Sequence, residues 1–438
     1  MSRSRRPDAS PRTRLTLRID DLAPGGDGVA HVGTGDERRA VFVPRVAVGD
    51  EVEALVDLAS RPARGKTTRL LSAGEGRVAP SCAYVEACGA CDWMHLSREV
   101  QRSTREDHLR RALPASMRDL PILLHDTGAS LGYRTRARLH IRASGGRAIV
   151  GPHGVGSHDI VDIAACVVLD PRLDAALAPL ASLLEGAHGT GEAHIALGRG
   201  GRPVVELRWD GVLPPACFGR MEKAVTAGVF AGGTLYEGDT PKPAVIGDPT
   251  PEMMGADGAV LRLSSGGFAQ ASDAGNVELG ERVLALAKRG AGSKPSASVV
   301  ELYAGAGNFT VLLARAFERV LAVESSAAAC DAARANLGAR GLVAKVTCAD
   351  ADAFVFTGSS KTDVVVLDPP RRGARKACAA IAVSSVKAVV YVSCDAPTLG
   401  RDLAVLAERF DVAAIESFAM FAGTSHSESV VLLCRKPR

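Results

Sequence analysis

The chain has 438 residues, of which 46% are hydrophobic, and its 53 basic and 49 acidic residues give a net charge of +4. This length exceeds one average domain and predicts two or three. No apolar run is long enough for a membrane span or typical of a secretory signal, which excludes these two classes and favours a cytoplasmic protein.

The basic residues are unevenly distributed. Residues 1–18 contain six arginines and one aspartate, and residues 60–70 contain four cations and no acid. Such segments suit phosphate contact, although a solvated tail explains the first equally well. We expect residues 1–12 to be a disordered basic tail.

The first folded segment is predicted to be rich in β-strands. Residues 13–74 alternate short β-like runs (RLTLRI, AVFVP, DEVEALVDL) with glycine-rich turns. Several short strands with turn signals in about 60 residues predict a small, OB-like β-barrel.

Residues 75–262 form a predicted central α+β domain. It contains a cysteine segment, a charged amphipathic helix at 97–113 that could pack on the catalytic domain, and a strand-rich part at 131–250. Within YRTRARLHIR, Arg134, Arg136 and Arg138 recur at period two, which places them on one face of a strand. That face either contacts RNA phosphates or is merely solvated.

Four cysteines belong to this central segment. Cys82, Cys88 and Cys91 cluster in the sequence, and Cys166 follows at a distance. In a protein without secretory features such a group favours a metal site over disulfides. Four thiolates suit a [4Fe–4S] cluster, and structural zinc accepts the same ligands.

The last segment, residues 263–438, changes to alternating strands and helices. Its five apolar runs predict a mostly parallel, Rossmann-like α/β sheet with ligand sites at the carboxyl ends of the strands. These runs are SVVELYAG, RVLAVES, AKVTCAD, DVVVLDPP and AVVYVSC.

Strand ends in this segment carry features of a nucleotide site. Gly305 and Gly307 form a turn that allows close backbone approach, and Glu324 and Asp350 end the next two strands. Either a dinucleotide or S-adenosylmethionine would fit these features. The fourth strand ends in DPPRRG from Asp368, a stiff turn that suits presentation of a planar base to a methyl donor; a purely structural turn is the alternative.

The fifth strand ends at Cys394, immediately before a helical pattern that begins near Pro397. A thiol at this position is either an inert core cysteine or a nucleophile. The dipole of the following helix is expected to favour the thiolate.

Four of these motifs resemble those of the RNA uracil-C5 methyltransferases, which make 5-methyluridine. They are ELYAGAGNFT, LDPPRRG, YVSCDAPTLGRD and TSHSESVVLL, in matching order and spacing. CAYVEACGACDWMHL with Cys166 resembles the iron–sulfur segment of the ribosomal-RNA branch, and the N-terminal segment is similar to its TRAM domain. The resemblance therefore covers nearly the whole chain.

The resemblance implies a role for each matching residue. Cys394 would add to C6 of uracil and so activate C5, a poor nucleophile, and Glu428 would remove the C5 proton. His426 is a weaker candidate for that base. Gln270, Tyr303, Gly305, Gly307, Glu324, Asp350 and Asp368 would bind the donor S-adenosylmethionine.

The sequence departs from the family pattern at two places. Ala271-Ser272 stands where Val-Asn is common, and Ala422-Gly423 stands where Pro-His is usual. These changes affect the fine geometry expected of the donor and base pockets. The reaction class implied by Cys394 and Glu428 is unaffected.

The resemblance also implies partners. We expect a monomer that acts on structured RNA, with 23S ribosomal RNA as the first candidate and the target uridine flipped into the site. A structural [4Fe–4S] cluster would be bound by Cys82, Cys88, Cys91 and Cys166. The T-loop of transfer RNA is an alternative substrate, and a non-catalytic RNA-binding protein with a degenerate methyltransferase domain is an alternative of another class.

Overall fold

A computed structural model describes residues 12–144, 146–240, 242–356 and 362–437. All but the last residue of the expected tail at 1–12 lies outside these ranges. The described chain forms two compact units. The first extends to His108 and includes Ala422–Ser425, and the second comprises the remainder.

The strands, in chain order, are β1 (Thr13–Arg18), β2 (Asp21–Leu22), β3 (Gly28–Val32), β4 (Arg39–Val43), β5 (Glu51–Asp57), β6 (Ala63–Ser72), β7 (Ile122–His125), β8 (Arg136–Ser144), β9 (Arg147–Gly151), β10 (His188–Leu197), β11 (Pro203–Val212), β12 (Gly232–Glu237), β13 (Ala244–Gly247), β14 (Glu252–Met254), β15 (Val260–Arg262), β16 (Ser298–Leu302), β17 (Arg319–Glu324), β18 (Lys345–Cys348), β19 (Val364–Leu367), β20 (Ala388–Ser393), β21 (Phe410–Phe418) and β22 (Glu428–Arg435). The α-helices are α1 (Arg98–Ala112), α2 (Pro171–Asp174), α3 (Leu177–Leu183), α4 (Pro215–Thr226), α5 (Asp273–Gly290), α6 (Thr310–Ala316), α7 (Ala327–Gly338), α8 (Arg375–Val383) and α9 (Ala396–Leu406). None of these helices is long and apolar enough to cross a membrane.

The first unit contains a six-stranded sheet with the order β1-β5-β6-β4-β3-β2. In β5, buried Val52, Ala54 and Val56 alternate with less buried residues, so the period-two pattern places one side of the strand in the core. Buried Asp50, directly before β5, accepts hydrogen bonds from the backbone of Ala47 and from the guanidinium of Arg77. The N-terminal region is therefore strand-rich.

The second unit begins with a six-stranded sheet of order β13-β12-β11-β10-β8-β9. Leu139, Ile141 and Ala143 of β8 are buried, whereas the alternate residues of the strand are more exposed. The strand-rich prediction for residues 131–250 agrees with this sheet.

The larger sheet of the second unit has eight strands in the order β18-β17-β16-β19-β20-β22-β21-β7. The five predicted strands are β16 to β20, and all pair in parallel. The α/β methyltransferase fold expected for the last segment is therefore present. Three further strands extend the sheet, because β22 runs antiparallel to β20, β21 is antiparallel to β22, and β7 is parallel to β21.

The antiparallel strand β22 has a defined register beside β20. Ser393 lies opposite Ser429, and Ala388 lies opposite Cys434. The far end of β22 is held by Arg435, whose guanidinium donates to the carbonyls of Ile381 and Val386. Four residues between these ends, Val430–Leu433, are buried.

Candidate active site

Cys394 lies between a strand and a helix at the carboxyl end of the eight-stranded sheet. β20 ends at Ser393, and the carboxylate of Asp395 caps α9 by accepting from the backbone N–H of Thr398 at 2.9 Å. Pro397 occupies the first turn of the helix, where it is well tolerated. The side chain of Cys394 is half-buried.

The register of β20 and β22 brings Glu428 to the same place. The antiparallel ladder ends at the Ser393–Ser429 pair, with Cys394 directly after Ser393 and Glu428 directly before Ser429. Glu428 contributes to the raised pKa of Cys394, as expected for neighbouring groups. The sheet therefore aligns the two residues that the sequence predicts to be catalytic.

The carboxylate of Glu428 is only partly satisfied. The side chain is 1% exposed, and its Oε1 lies 3.5 Å from Nε2 of His426. Its Oε2 has no hydrogen-bond partner in the part of the chain that the structure describes. A buried acceptor without a donor is costly unless a ligand satisfies it, so this atom indicates a binding site.

A third group, Asp368, completes the set at the end of β19. Burial, and to a smaller extent Glu428, raise its pKa to about 8. Burial likewise raises the pKa of the Cys394 thiol to about 12, with further contributions from Glu428 and Asp368 and an opposing one from Arg371.

The direction of this shift corrects one expectation. The helix dipole was expected to favour the Cys394 thiolate, but burial and two neighbouring carboxyl groups outweigh it. The ligand-free protein therefore holds Cys394 as a thiol near neutral pH. Bond formation by its sulfur must be coupled to removal of the proton.

The glycine-rich turn directly follows β16. Gly305 and Gly307 have φ values of 55° and 87°, in the region that glycine adopts without strain. Tyr303 also has a positive φ of 62°, and its hydroxyl donates to Asp352 at 2.6 Å. Strained backbone at a non-glycine residue is typical of functional sites.

Glu324 joins this turn to the end of β17. One carboxylate oxygen accepts from the N–H of Gly305 at 2.9 Å, and the other accepts from the N–H of Ser326 at 2.8 Å. Asp350 accepts from the N–H of Asp352 at 2.9 Å, and Gln270 is buried with 6% exposure. Two of the three carboxylates predicted to bind the donor, Glu324 and Asp350, are thus held by backbone donors.

Buried Glu301 was missed by the sequence analysis. Burial raises its pKa to about 8, and it accepts from the hydroxyl of Thr310 at 2.5 Å. This bond ties β16 to α6. The position of Glu301 at the start of ELYAGAGNFT, within an otherwise apolar strand, was the sequence feature that could have identified it. The sequence analysis also did not single out Arg371 of DPPRRG, which opposes the rise in the pKa of Cys394.

The three arginines do not form one equivalent set. Arg138 is exposed, and its Nε is 2.8 Å from Glu192, whereas Arg134 lies over the ring of Phe421 at 5.9 Å. Arg136 is largely enclosed, and its Nε and Nη2 have no hydrogen-bond partner among the described residues. Burial lowers the pKa of Arg136 to about 10 despite nearby Asp273.

The cysteine segment belongs to the first unit. Arg45 donates to the carbonyls of Cys88 and Cys91, and the N–H of Ala90 donates to Sγ of Cys88 at 3.5 Å. Cys166 lies in the second unit. Within the described ranges, no group of three or more His, Cys, Asp or Glu side chains is arranged to hold a metal ion.

The second sequence departure falls on a glycine with a specific conformation. Gly423 has a φ of 75°, its N–H donates to the side chain of Gln101, and its carbonyl accepts from the N–H of Trp93. The departure at Ala271-Ser272 lies at the start of α5, where Ser272 caps the helix. Both substitutions are thus compatible with ordered local structure.

Residues 259–436 match the profile of the family described as tRNA (Uracil-5-)-methyltransferase. The 23S rRNA (uracil(1939)-C(5))-methyltransferase RlmD of Halomonas elongata is 34% identical to this chain, with coverage of 97% of this chain and 90% of the relative. The chain belongs to the RNA uracil-C5 methyltransferase family. The family predicted from the motifs is therefore confirmed.

Other proteins similar to this family member agree. RlmD of Pectobacterium carotovorum is 32% identical over 97% of this chain and 94% of the relative. The fold also matches that of the Pyrococcus abyssi tRNA (uracil-54, C5)-methyltransferase in complex with S-adenosyl-L-homocysteine, with a TM-score of 0.75 and 21% identity. That match covers 96% of this chain and 99% of the archaeal one.

Proposed function

We propose that the chain transfers a methyl group from S-adenosylmethionine to C5 of a uridine in 23S ribosomal RNA. The observation that carries this proposal is that Cys394 and Glu428 adjoin the last pair of the β20–β22 ladder, with Asp368 near Cys394. The names of the curated relatives support ribosomal RNA as substrate.

The first chemical step is addition of the Cys394 sulfur to C6 of the uracil. This addition makes C5 electron-rich and splits one difficult step into easier ones. Asp368, protonated below about pH 8, can donate a proton to uracil O4 as charge develops there. The proton lost by the thiol then replaces the one that Asp368 gave.

Methyl transfer is followed by removal of the C5 proton. S-adenosylmethionine supplies the electrophilic methyl group, and O4 releases its proton to solvent as the carbonyl re-forms. The unpartnered Oε2 of Glu428 accepts the C5 proton. The bond between sulfur and C6 then breaks, and Glu428 returns this proton to the sulfur of Cys394, so the cycle releases one proton overall.

The donor would occupy the glycine-rich side of the site. Glu324, held by Gly305 and Ser326, is positioned to accept from ribose hydroxyls, and the positive-φ turn allows close approach of the ligand. We assign Gln270, Tyr303, Gly307 and Asp350 to the same pocket. Asp368 contacts the base in this scheme, rather than the donor.

RNA binding is assigned chiefly to Arg136. Two buried guanidinium nitrogens of Arg136 have no hydrogen-bond partner among the described residues, and an anion or carbonyl oxygen of the RNA would satisfy them. Arg134 and Arg138 would contribute less, since Phe421 and Glu192 already engage them. The strand-rich N-terminal region is proposed to be a TRAM-like RNA-binding barrel.

The cluster is proposed to be [4Fe–4S], bound by Cys82, Cys88, Cys91 and Cys166. Four cysteine side chains, together with an amide that donates to one sulfur, are the donor chemistry that such a cluster needs. Its role would be structural. Anaerobically purified protein should be brown with about four irons per chain, and stoichiometric zinc without visible absorbance would exclude the cluster.

The substrate is tested with RNA from a strain that lacks the gene. Purified protein and labelled S-adenosylmethionine should yield 5-methyluridine in 23S ribosomal RNA at one mapped site. Label in the T-loop of transfer RNA alone would contradict the ribosomal assignment. Protein that binds RNA but not S-adenosylmethionine would contradict catalysis altogether.

A further inference from the structure

Two cysteines outside the catalytic set flank the end of β17. Cys330 lies within the first turns of α7 and is buried, whereas Cys348 ends β18 and is exposed. Cys348 is the register partner of Glu324 across the parallel pair β17–β18. The mechanism uses neither thiol.

The two thiols lie against the same short loop. Burial, and to a smaller extent Cys348, raise the pKa of Cys330 to about 11. The Cys330 thiol donates to the carbonyl of Glu324 at 3.4 Å, and the Cys348 thiol donates to the carbonyl of Ser325 at 3.5 Å. Both sulfurs therefore support the loop that carries the donor-binding carboxylate.

We propose that Cys330 and Cys348 form a peroxide-sensitive dithiol whose oxidation to a disulfide weakens binding of S-adenosylmethionine. The proposal rests on the donor-binding role of Glu324 given above. Exposure makes Cys348 the thiol that peroxide reaches. Cys330, which binds the carbonyl adjacent to the one that Cys348 binds, supplies the resolving thiol.

The chemistry balances with hydrogen peroxide as the oxidant. The Cys348 thiolate attacks one peroxide oxygen, the O–O bond breaks, and a sulfenic acid and hydroxide form. The Cys330 sulfur then attacks the sulfenic sulfur and expels the second oxygen as water. Two thiols thus lose two electrons and two protons, and peroxide becomes two waters.

Oxidation removes both S–H donors from the Glu324–Ser326 loop. The sulfurs must also approach to about 2.05 Å, which ties α7 to β18 and shifts the loop between them. Since the same loop holds Gly305 through the Glu324 carboxylate, the donor pocket should loosen. Loss of these hydrogen bonds predicts roughly two- to tenfold weaker donor binding.

The test combines peptide mapping with a binding measurement on the full chain. Wild-type protein is treated with hydrogen peroxide and digested with trypsin, and the peptides 320–334 and 346–361 should be recovered cross-linked. Affinity for S-adenosylmethionine, measured by calorimetry, should fall as stated and recover with dithiothreitol. Cys348→Ser should give neither the cross-link nor the reversible loss.

A matched control is Cys434→Ser, which removes another partly buried thiol at the far end of β22 and should respond like wild type. Absence of the cross-link at peroxide concentrations that oxidise Cys348 would overturn the proposal. A cross-link without any change in affinity would overturn it equally. Reduced wild type that fails to bind the donor would instead refute the proposed function.

Discussion

The two halves of the carboxyl edge of the eight-stranded sheet differ in how their acidic groups are satisfied. At the ends of β17 and β18, Glu324 and Asp350 accept hydrogen bonds from backbone amides. Beyond β19 and β20, one oxygen of Glu428 has no hydrogen-bond partner among the described residues, and burial and Glu428 raise the pKa of Asp368 to about 8. The first half is preorganised for the binding of the proposed methyl donor. The second half contains the incompletely hydrogen-bonded acidic groups that the proposed proton transfers require.

The largest effect is expected from removing the nucleophile. Cys394→Ala should lower methylation by more than about 10⁴-fold, because no other group can add to C6. Donor binding should persist, since it belongs to the other half of the edge. Tritium transfer from S-adenosylmethionine measures the reaction. Cys434→Ala, which removes a thiol at the opposite end of β22, should methylate normally; residual transfer by Cys394→Ala near the wild-type rate would refute covalent catalysis.

Glu428→Gln should interrupt the cycle after methyl transfer. The amide cannot accept the C5 proton, so turnover should fall by about 10²- to 10⁴-fold while a methylated adduct with RNA accumulates. A slow band on a denaturing gel detects it, and a 5-fluorouridine substrate should trap wild type similarly.

The control for this variant is Glu416→Gln in the adjacent strand β21. Glu416 is equally buried but is bound by Arg282 and His125. Glu416→Gln should lower the free energy of unfolding and should not accumulate a protein–RNA adduct. If Glu428→Gln turns over normally and forms no adduct, His426 becomes the candidate base.

Substitution of Arg136 or Arg138 tests whether the arginine with the less satisfied guanidinium contributes more to RNA binding. Arg136→Gln should weaken RNA binding by about 10- to 100-fold, as expected for lost hydrogen bonds to a charged group, and should lower the salt slope by about one unit. Arg138→Gln should change affinity by less than about threefold because Glu192 already engages an exposed side chain. Equal losses in filter-binding titrations would remove this distinction.

Glu324→Gln tests the binding half. The amide presents a donor to one of two backbone N–H groups, so affinity for S-adenosylmethionine should fall by about tenfold. RNA affinity should be unchanged. The control is Glu318→Gln, because Glu318 is exposed and directly precedes β17. This variant should bind the donor as wild type does. Unaltered donor affinity in Glu324→Gln, measured by calorimetry, would move the ribose contact elsewhere.

Asp368→Asn should change the free energy of unfolding, by an amount that depends on pH. The folded-state pKa of Asp368 is raised to about 8. Between its ordinary pKa and that value the unfolded chain binds fewer protons, so wild-type stability declines as pH rises through this window. The amide does not ionise, so the variant should gain stability relative to wild type, by roughly 1 kcal/mol or more at pH 9. Urea unfolding at pH 5 and pH 9 measures the difference, which should be smaller at pH 5.

The sequence predicted the candidate site well where each site residue directly follows a single predicted strand. Apolar β-branched runs predicted all five parallel strands, and each candidate residue at their ends lies at the predicted edge. Period two was less informative for Arg134, Arg136 and Arg138, because β8 begins only at Arg136 and their partners come from distant segments. The raised pKa of Cys394 was equally hidden, since two other strand ends and the surrounding packing determine it.

The ladder between β20 and β22 makes catalytic alignment a question of strand register. Val430–Leu433 are apolar and buried, so a slip by one residue would replace one buried apolar side chain by another, and hydrophobic burial alone discriminates weakly between registers. A slip would nevertheless substitute a serine for Glu428 beside Cys394. Arg435 lies seven residues from Glu428, about 23 Å along an extended strand, and fixes the register through carbonyls at the end of α8 and beyond. An arginine far from Cys394 thus fixes the position along β22 of the residue proposed as proton acceptor.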